Sequence, residues 1–77
     1  MEEKIINIIA SIIKTKPEEI SNNIDNFSLG SVSGWDSLAH LSIMTELEDE
    51  YDLDLSIDEM ESLDSVKKIL HFIEEQS

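Results

Sequence analysis

The sequence of 77 residues has no cysteine, a single proline, two glycines and few aromatic side chains. Without cysteine, the chain can form neither disulfide bonds nor thiolate metal sites. It also lacks an apolar run long enough to span a bilayer, and its start, Met1-Glu2-Glu3, has the wrong charge for a secretory leader. We therefore expect a cytoplasmic protein, and the length predicts one small domain over residues 1–77.

Basic residues are also scarce: five Lys and Arg stand against 18 Asp and Glu, which gives a net charge of −13. No lysine or arginine occurs between Pro17 and Val66, so the negative charge is concentrated in the middle of the chain. Such a field repels nucleic acid phosphates and anionic lipid headgroups and attracts basic protein surfaces. The composition therefore argues against nucleic acid and membrane partners, although acidic residues also serve solubility alone.

Apolar residues recur at helical spacing in two long segments. Isoleucines at positions 5, 6, 8, 9, 12 and 13 predict a first helix from Glu2 to Thr15. A second helix is predicted from Ser37 to about Tyr51, with Asp36 as its N-cap. The predicted inward-facing stripe of this second helix consists of Leu38, Leu41, Met44, Leu47 and Tyr51.

Two further helices and one loop complete the prediction. The segment Ser56-Ile57-Asp58-Glu59 has the spacing of a capping box and opens a third helix of about two turns. Asp64 or Ser65 caps the last helix, whose inward-facing residues are Val66, Ile69, Leu70, Phe72 and Ile73. Residues 18–36 are rich in Asn, Ser, Gly and Asp and predict a long ordered loop. The fold class is therefore all-α, a four-helix bundle with three longer helices, one short third helix and a long first loop.

Ser37 is the candidate functional residue, because it places a hydroxyl at the first position of the second helix. Unpaired amides and the helix dipole favour negative charge at this end, so a phosphodiester built on the hydroxyl would find a suitable environment. Gly34 lets the chain turn before the cap and keeps bulk away from an incoming group. Serine at a helix start is also common for capping alone, so the position by itself leaves both interpretations open.

The motif Asp36-Ser37-Leu38 resembles the attachment motif of the acyl carrier protein family, and the resemblance covers nearly the whole chain. Residues 16–23 are similar to the family's first-loop segment, residues 41–51 to its acidic second helix, and residues 63–66 to the start of its fourth helix. The resemblance implies that a phosphopantetheinyl transferase attaches a 4′-phosphopantetheine arm to Ser37. The thiol of that arm would hold acyl groups as thioesters for enzymes of fatty acid, polyketide or related specialised biosynthesis.

The resemblance also implies two surfaces. Glu48 and Asp49 match acids with which the family docks onto basic patches of acyl-transferring and synthase enzymes; Leu38, Ala39 and Ser42 belong to the same recognition surface. The candidates for the lining of the acyl cleft, each of which also fits the core, are Leu47, Ile57, Met60 and Leu63. Ala39 and Ser42 stand where carriers of general fatty acid synthesis usually have acids, which favours a carrier of a specialised pathway.

Other functions fit parts of the same pattern. The attachment motif does not separate an acyl cargo from an aminoacyl or peptidyl one, and an acidic helical interaction domain without a prosthetic group would also explain the composition. A hydrolase is disfavoured, because the chain has no Asp-x-x-His pair and His40 is expected at the surface without an orienting carboxylate. A calcium loop starting at Asp52 fails at Ile57 and Leu63. We therefore expect a monomeric carrier that is not an enzyme and has no metal site.

Overall fold

The computed structural model describes residues 2–76. Three long helices and two short ones follow one another along the chain, and irregular segments connect them. The elements are α1 (Glu2–Ile13), α2 (Pro17–Asn22), a 3₁₀ turn (Ile24–Asn26), α3 (Ser37–Tyr51), α4 (Ile57–Ser62) and α5 (Val66–Gln76). The all-α bundle with three longer helices and a short helix before the last one is confirmed.

The first loop is more helical than its composition predicts. Helix α1 ends at Ile13 rather than Thr15, because Lys14 adopts a left-handed conformation with φ of 60° and the Thr15 amide bonds back to Ala10. Pro17 then occupies the first position of α2, where its fixed φ suits a helix and its missing N–H costs nothing. Ile20 is fully buried and anchors α2 to the core. The prediction of one irregular loop from residue 18 to residue 36 is therefore wrong for residues 18–22.

Helix α3 has the predicted bounds and the predicted cap, but the predicted inward-facing stripe is wrong at its start. Leu38 and Leu41 are 75% and 56% exposed, whereas the buried residues of the helix are His40, Ile43, Met44 and Leu47. The reason is geometric: Leu38 and Leu47 are nine positions apart, which is about two and a half turns, so the side chains of Leu38 and Leu47 point in opposite directions. His40, seven residues before Leu47, lies on the buried side.

The two helices after α3 begin as the sequence predicts. Ser56 Oγ accepts from the Glu59 amide at 3.1 Å and Glu59 Oε1 accepts from the Ser56 amide at 2.9 Å, which forms the capping box. Ser65 Oγ accepts from the Lys68 amide at 3.2 Å, so Ser65 rather than Asp64 caps α5. Phe72, predicted to face inward, is only partly buried.

The core lies between α1, α3 and α5, and isoleucine is its most frequent residue. The loop before α3 is tied to it by Phe27 and Trp35, which are both buried. Backbone hydrogen bonds from the Leu29 amide to Asp64 and from the Val66 amide to Phe27 join this loop to the start of α5. The position of the chain just before α3 is therefore fixed by the bundle. Within residues 2–76, no helix is long and apolar enough to cross a membrane.

Candidate functional site

Ser37 is the first residue of α3, and its side chain is exposed. Asp36 precedes it in an extended conformation, and Asp36 Oδ1 accepts from the Ala39 amide at 2.8 Å. The Asp36 carbonyl accepts from the His40 amide at 2.9 Å. Because Asp36 caps the helix, the Ser37 hydroxyl is not used for capping, and no hydrogen bond engages it within residues 2–76. Its oxygen is therefore free to form a covalent bond.

Gly34 controls how the chain approaches this serine. A Cβ atom at Gly34 would clash with the carbonyl oxygen of Ile13, at the end of α1. Gly34 does not have a positive φ, so the glycine is required by the close approach of two backbone segments rather than by a special turn. Gly34 does lie in a turn, which the Trp35 amide closes by donating to the Val32 carbonyl at 3.1 Å. The loop before Ser37 rests directly on the last turn of α1.

An apolar pocket of about 310 Å³ opens beside Ser37 between α3 and α4. Its walls are formed by Ser37, His40, Leu41, Met44, Ile57, Met60 and Glu61. Of the four cleft candidates from the sequence, Ile57 and Met60 lie at this pocket, and Ile57 is 76% exposed at its rim. Leu47 and Leu63 are instead buried in the core and do not line it.

His40 is not at the surface, as the sequence suggested, but only 8% exposed beneath this pocket. Its Nδ1 atom accepts from Trp35 Nε1 at 3.0 Å, and its Nε2 atom lies 2.8 Å from the Met60 carbonyl oxygen. The two rings are stacked, with centroids 6.0 Å apart and planes inclined by 26°. Both imidazole nitrogens are engaged, so His40 has none left to accept a proton from Ser37.

The exposed side of α3 carries less charge than its sequence suggests. Asp49 is exposed, but Glu48 is partly buried and its Oε2 accepts from the Leu55 amide at 2.9 Å. Glu50 pairs with Lys4 at 3.1 Å. We call the exposed residues on this side of the helix the α3 face: Leu38, Leu41, Ser42, Thr45, Glu46 and Asp49. Ala39, a further docking candidate, is partly buried.

Sequence reasoning missed two residues of this region. Leu41 was assigned to the core, yet it is exposed at the rim of the pocket, and Glu61 was assigned no role although it lines the same pocket. The burial of His40, which was expected at the surface, could have been found from its seven-residue spacing to Leu47, which places both on one side of a helix. The place of Glu61 depends on how α4 packs, for which the sequence has no local signal.

Comparison with known proteins gives one consistent result. Residues 3–73 match the family model described as phosphopantetheine attachment site. The acyl carrier protein of Buchnera aphidicola subsp. Schizaphis graminum (strain Sg) is 33% identical over 95% of this chain and 89% of its own. The acyl carrier protein of Rickettsia bellii (strain OSU 85-389) is 33% identical over 97% of this chain and 89% of its own. No solved structure matches the chain significantly.

Proposed function

The chain belongs to the acyl carrier protein family, and on this premise we propose that Ser37 is the residue that receives its 4′-phosphopantetheine arm. The observation that supports this most directly is the exposed hydroxyl of Ser37, unpaired among residues 2–76, at the start of α3. Asp36 caps the helix, so the Ser37 hydroxyl makes no capping hydrogen bond that its modification would break. Leu38 completes the attachment motif and is exposed beside it.

The surroundings of Ser37 suit such an arm. The amides of Ser37 and Leu38 have no hydrogen-bond partner among the described residues, so they are available to a phosphodiester at the positive end of the helix dipole. The arm supplies a thiol, which this cysteine-free chain lacks, and that thiol holds the cargo as a thioester. The cap at Asp36 therefore orients Ser37, and the pocket beside Ser37 lies within reach of a group attached there.

The lining of the pocket supports an acyl cargo rather than an aminoacyl or peptidyl one. Leu41 and Ile57 present hydrocarbon, and Met44 and Met60 add flexible thioether side chains that adapt to different shapes. An aliphatic chain that enters the pocket is removed from water, at a gain of about 0.8 kcal/mol per buried methylene. A charged amino group would lose its hydration there, with only Glu61 at the wall to compensate.

We further infer that the protein presents its cargo without catalysing a reaction itself. A serine nucleophile needs an adjacent base, but the two ring nitrogens of His40 are taken by Trp35 and Met60. The chemistry is then supplied by partner enzymes: a phosphopantetheinyl transferase first, and acyl-transferring or synthase enzymes afterwards. A monomeric state and a cytoplasmic location remain predictions of the sequence.

The direct test is to incubate the wild-type protein with coenzyme A and a broad-specificity phosphopantetheinyl transferase. Intact mass spectrometry should show the gain of one arm, and fragmentation of the modified peptide should place it on Ser37. Absence of any gain would contradict the proposal. So would a single arm located on another serine, for example Ser33 or Ser42, which are also exposed.

The α3 face is proposed as the docking surface, with Glu46 and Asp49 as its charged residues and with Leu38 and Leu41 as apolar contacts. Ser42 and the partly buried Ala39 leave this surface almost uncharged near Ser37, which supports partners other than the enzymes of general fatty acid synthesis. Glu48 is expected to contribute less, because its carboxylate already binds the Leu55 amide.

Charge reversal of Asp49 separates docking at the α3 face from general electrostatic steering. Asp49→Lys should slow loading by the transferase at low salt by roughly fivefold, since a charge at the edge of an interface acts mainly on the association rate. Glu18→Lys, on α2, changes the net charge equally and is the matched control. Loading rates at several salt concentrations would show the difference, which should shrink as salt rises. Equal slowing in both variants would refute docking through Asp49.

A further inference from the structure

Helix α4 is held in place in an unusual way. It has six residues, and none of them is buried. A helix this short is not stable in isolation, so its position depends on contacts with the rest of the protein. Its flanking residues Leu55 and Leu63 are buried, and within the helix the partly buried Met60 packs against the core. Hydrogen bonds at the two ends of α4 add to this packing.

The start of α4 is fixed by two sets of bonds. The capping box between Ser56 and Glu59 satisfies the first amides of the helix. The Leu55 amide, immediately before it, donates to Glu48 Oε2 on α3 at 2.9 Å. The capping box lies within the helix itself. Only the bond from the Leu55 amide to Glu48 joins the start of α4 to α3.

The end of α4 is fixed by His40. The Met60 carbonyl is in the last turn of the helix, where carbonyl groups lack helical partners. It lies 2.8 Å from His40 Nε2. The indole of Trp35 can only donate, so the nitrogen it contacts, His40 Nδ1, must accept and therefore carries no proton. The single ring proton is then on Nε2 and points at the Met60 carbonyl.

We propose that His40 is a positioning residue that fixes α4 as one wall of the pocket beside Ser37, and that Trp35 holds it in the Nε2–H tautomer that this requires. The proposal rests on the proposed function in one respect, since it takes this pocket to be the place of the cargo. Ile57, Met60 and Glu61 form the α4 side of the pocket, so any movement of α4 changes its width. Trp35 is 1% exposed, so water does not compete for its bond to His40.

Two variants of His40 differ in which of its two hydrogen bonds, to Trp35 and to the Met60 carbonyl, they can keep. The side-chain oxygen of Asn in His40→Asn can still accept from Trp35, but its shorter side chain does not reach Met60. The longer amide in His40→Gln can donate to the Met60 carbonyl. The readout is hydrogen exchange at the amides of Met60 and Leu63, which bond to Ser56 and Glu59. The Ile69 amide of α5 serves as the internal reference.

In His40→Asn we expect exchange of the two α4 amides to accelerate by about tenfold relative to Ile69, because α4 opens locally. In His40→Gln their exchange should stay near the wild-type rate. Wild-type rates in His40→Asn, or equal acceleration of α4 in both variants, would overturn the proposal. If either variant does not fold, ¹⁵N shifts of the His40 ring in the wild-type protein decide: a proton on Nδ1 contradicts the proposal, and a proton on Nε2 with Nδ1 as acceptor supports it.

These measurements use the protein without its arm, so they stand whether or not Ser37 is the attachment site. The link to the cargo is tested separately with an octanoyl group carried on the arm. The thioester should hydrolyse about threefold faster in His40→Asn than in the wild type and His40→Gln, because the loosened pocket admits water. An unchanged lifetime together with faster α4 exchange would show that α4 does not shelter the cargo.

Discussion

Substitution of Ser37 by alanine is expected to abolish loading with phosphopantetheine completely while leaving the fold intact. The change removes the only atom on which the phosphodiester can form, so no slower residual reaction at this position is available. The free energy of unfolding should stay within about 0.5 kcal/mol of the wild-type value, because the hydroxyl is exposed and Asp36 supplies the cap. Intact mass after prolonged incubation with coenzyme A and transferase measures the first effect, and urea denaturation measures the second.

The matched control is Ser33→Ala, which removes an exposed hydroxyl from the loop just before the site. It should load like the wild type. A mass gain that persists in Ser37→Ala would show that the arm is attached elsewhere. The structural alternative, that Ser37 serves only to begin the helix, makes a different prediction: Ser37→Ala would then lower the free energy of unfolding by about 1 kcal/mol, as the loss of a cap does.

The start of α3 was predictable because local chemistry determines it. Asp36 is a strong N-cap by residue type, and a run of helix-compatible residues follows it to Tyr51. The capping box at Ser56 was predictable for the same reason: both of its hydrogen bonds lie within four consecutive residues. Such features need no knowledge of the rest of the fold, and the structure has them where the sequence places them.

The burial of His40 and the exposure of Leu41 were not predictable from residue type. A histidine is often at a surface and a leucine often in a core, yet here each has the opposite position. His40 can be buried because Trp35, five residues before it, and the Met60 carbonyl, twenty residues after it, satisfy both polar atoms of the imidazole. Only the tertiary structure brings these partners together.

Glu48 shows how an apparent docking residue can have a structural role. Its place in an acidic run suggested an exposed charge, but the run from Glu46 to Glu50 covers more than one turn of helix, so its members point in different directions. Glu48 faces the segment before α4 and accepts from the Leu55 amide. The charge that remains on the α3 face is therefore that of Glu46 and Asp49, whereas its residues nearest Ser37, Leu38 and Ser42, are uncharged.

Replacement of Gly34 by alanine is expected to have the largest effect on stability among the changes considered. The new methyl group would clash with the carbonyl oxygen of Ile13, which is backbone and cannot rotate away. The last turn of α1 cannot retreat easily either, because Ile13 is buried in the core. Overpacking of this kind costs about 3 kcal/mol, which lowers the melting temperature of a domain of this size by about 12 °C or more.

The matched control is Gly30→Ala, which places the same methyl group in the same loop. Gly30 has φ of 84° and no atom within 4 Å of the added Cβ, so the change introduces backbone strain of about 1 kcal/mol but no clash. Thermal and urea denaturation of both variants would compare the two costs. An equal or smaller loss for Gly34→Ala would mean that the loop before Ser37 moves freely against α1. In that case the end of α1 would not fix the approach to Ser37, and the serine would be positioned by its cap and by Trp35 alone.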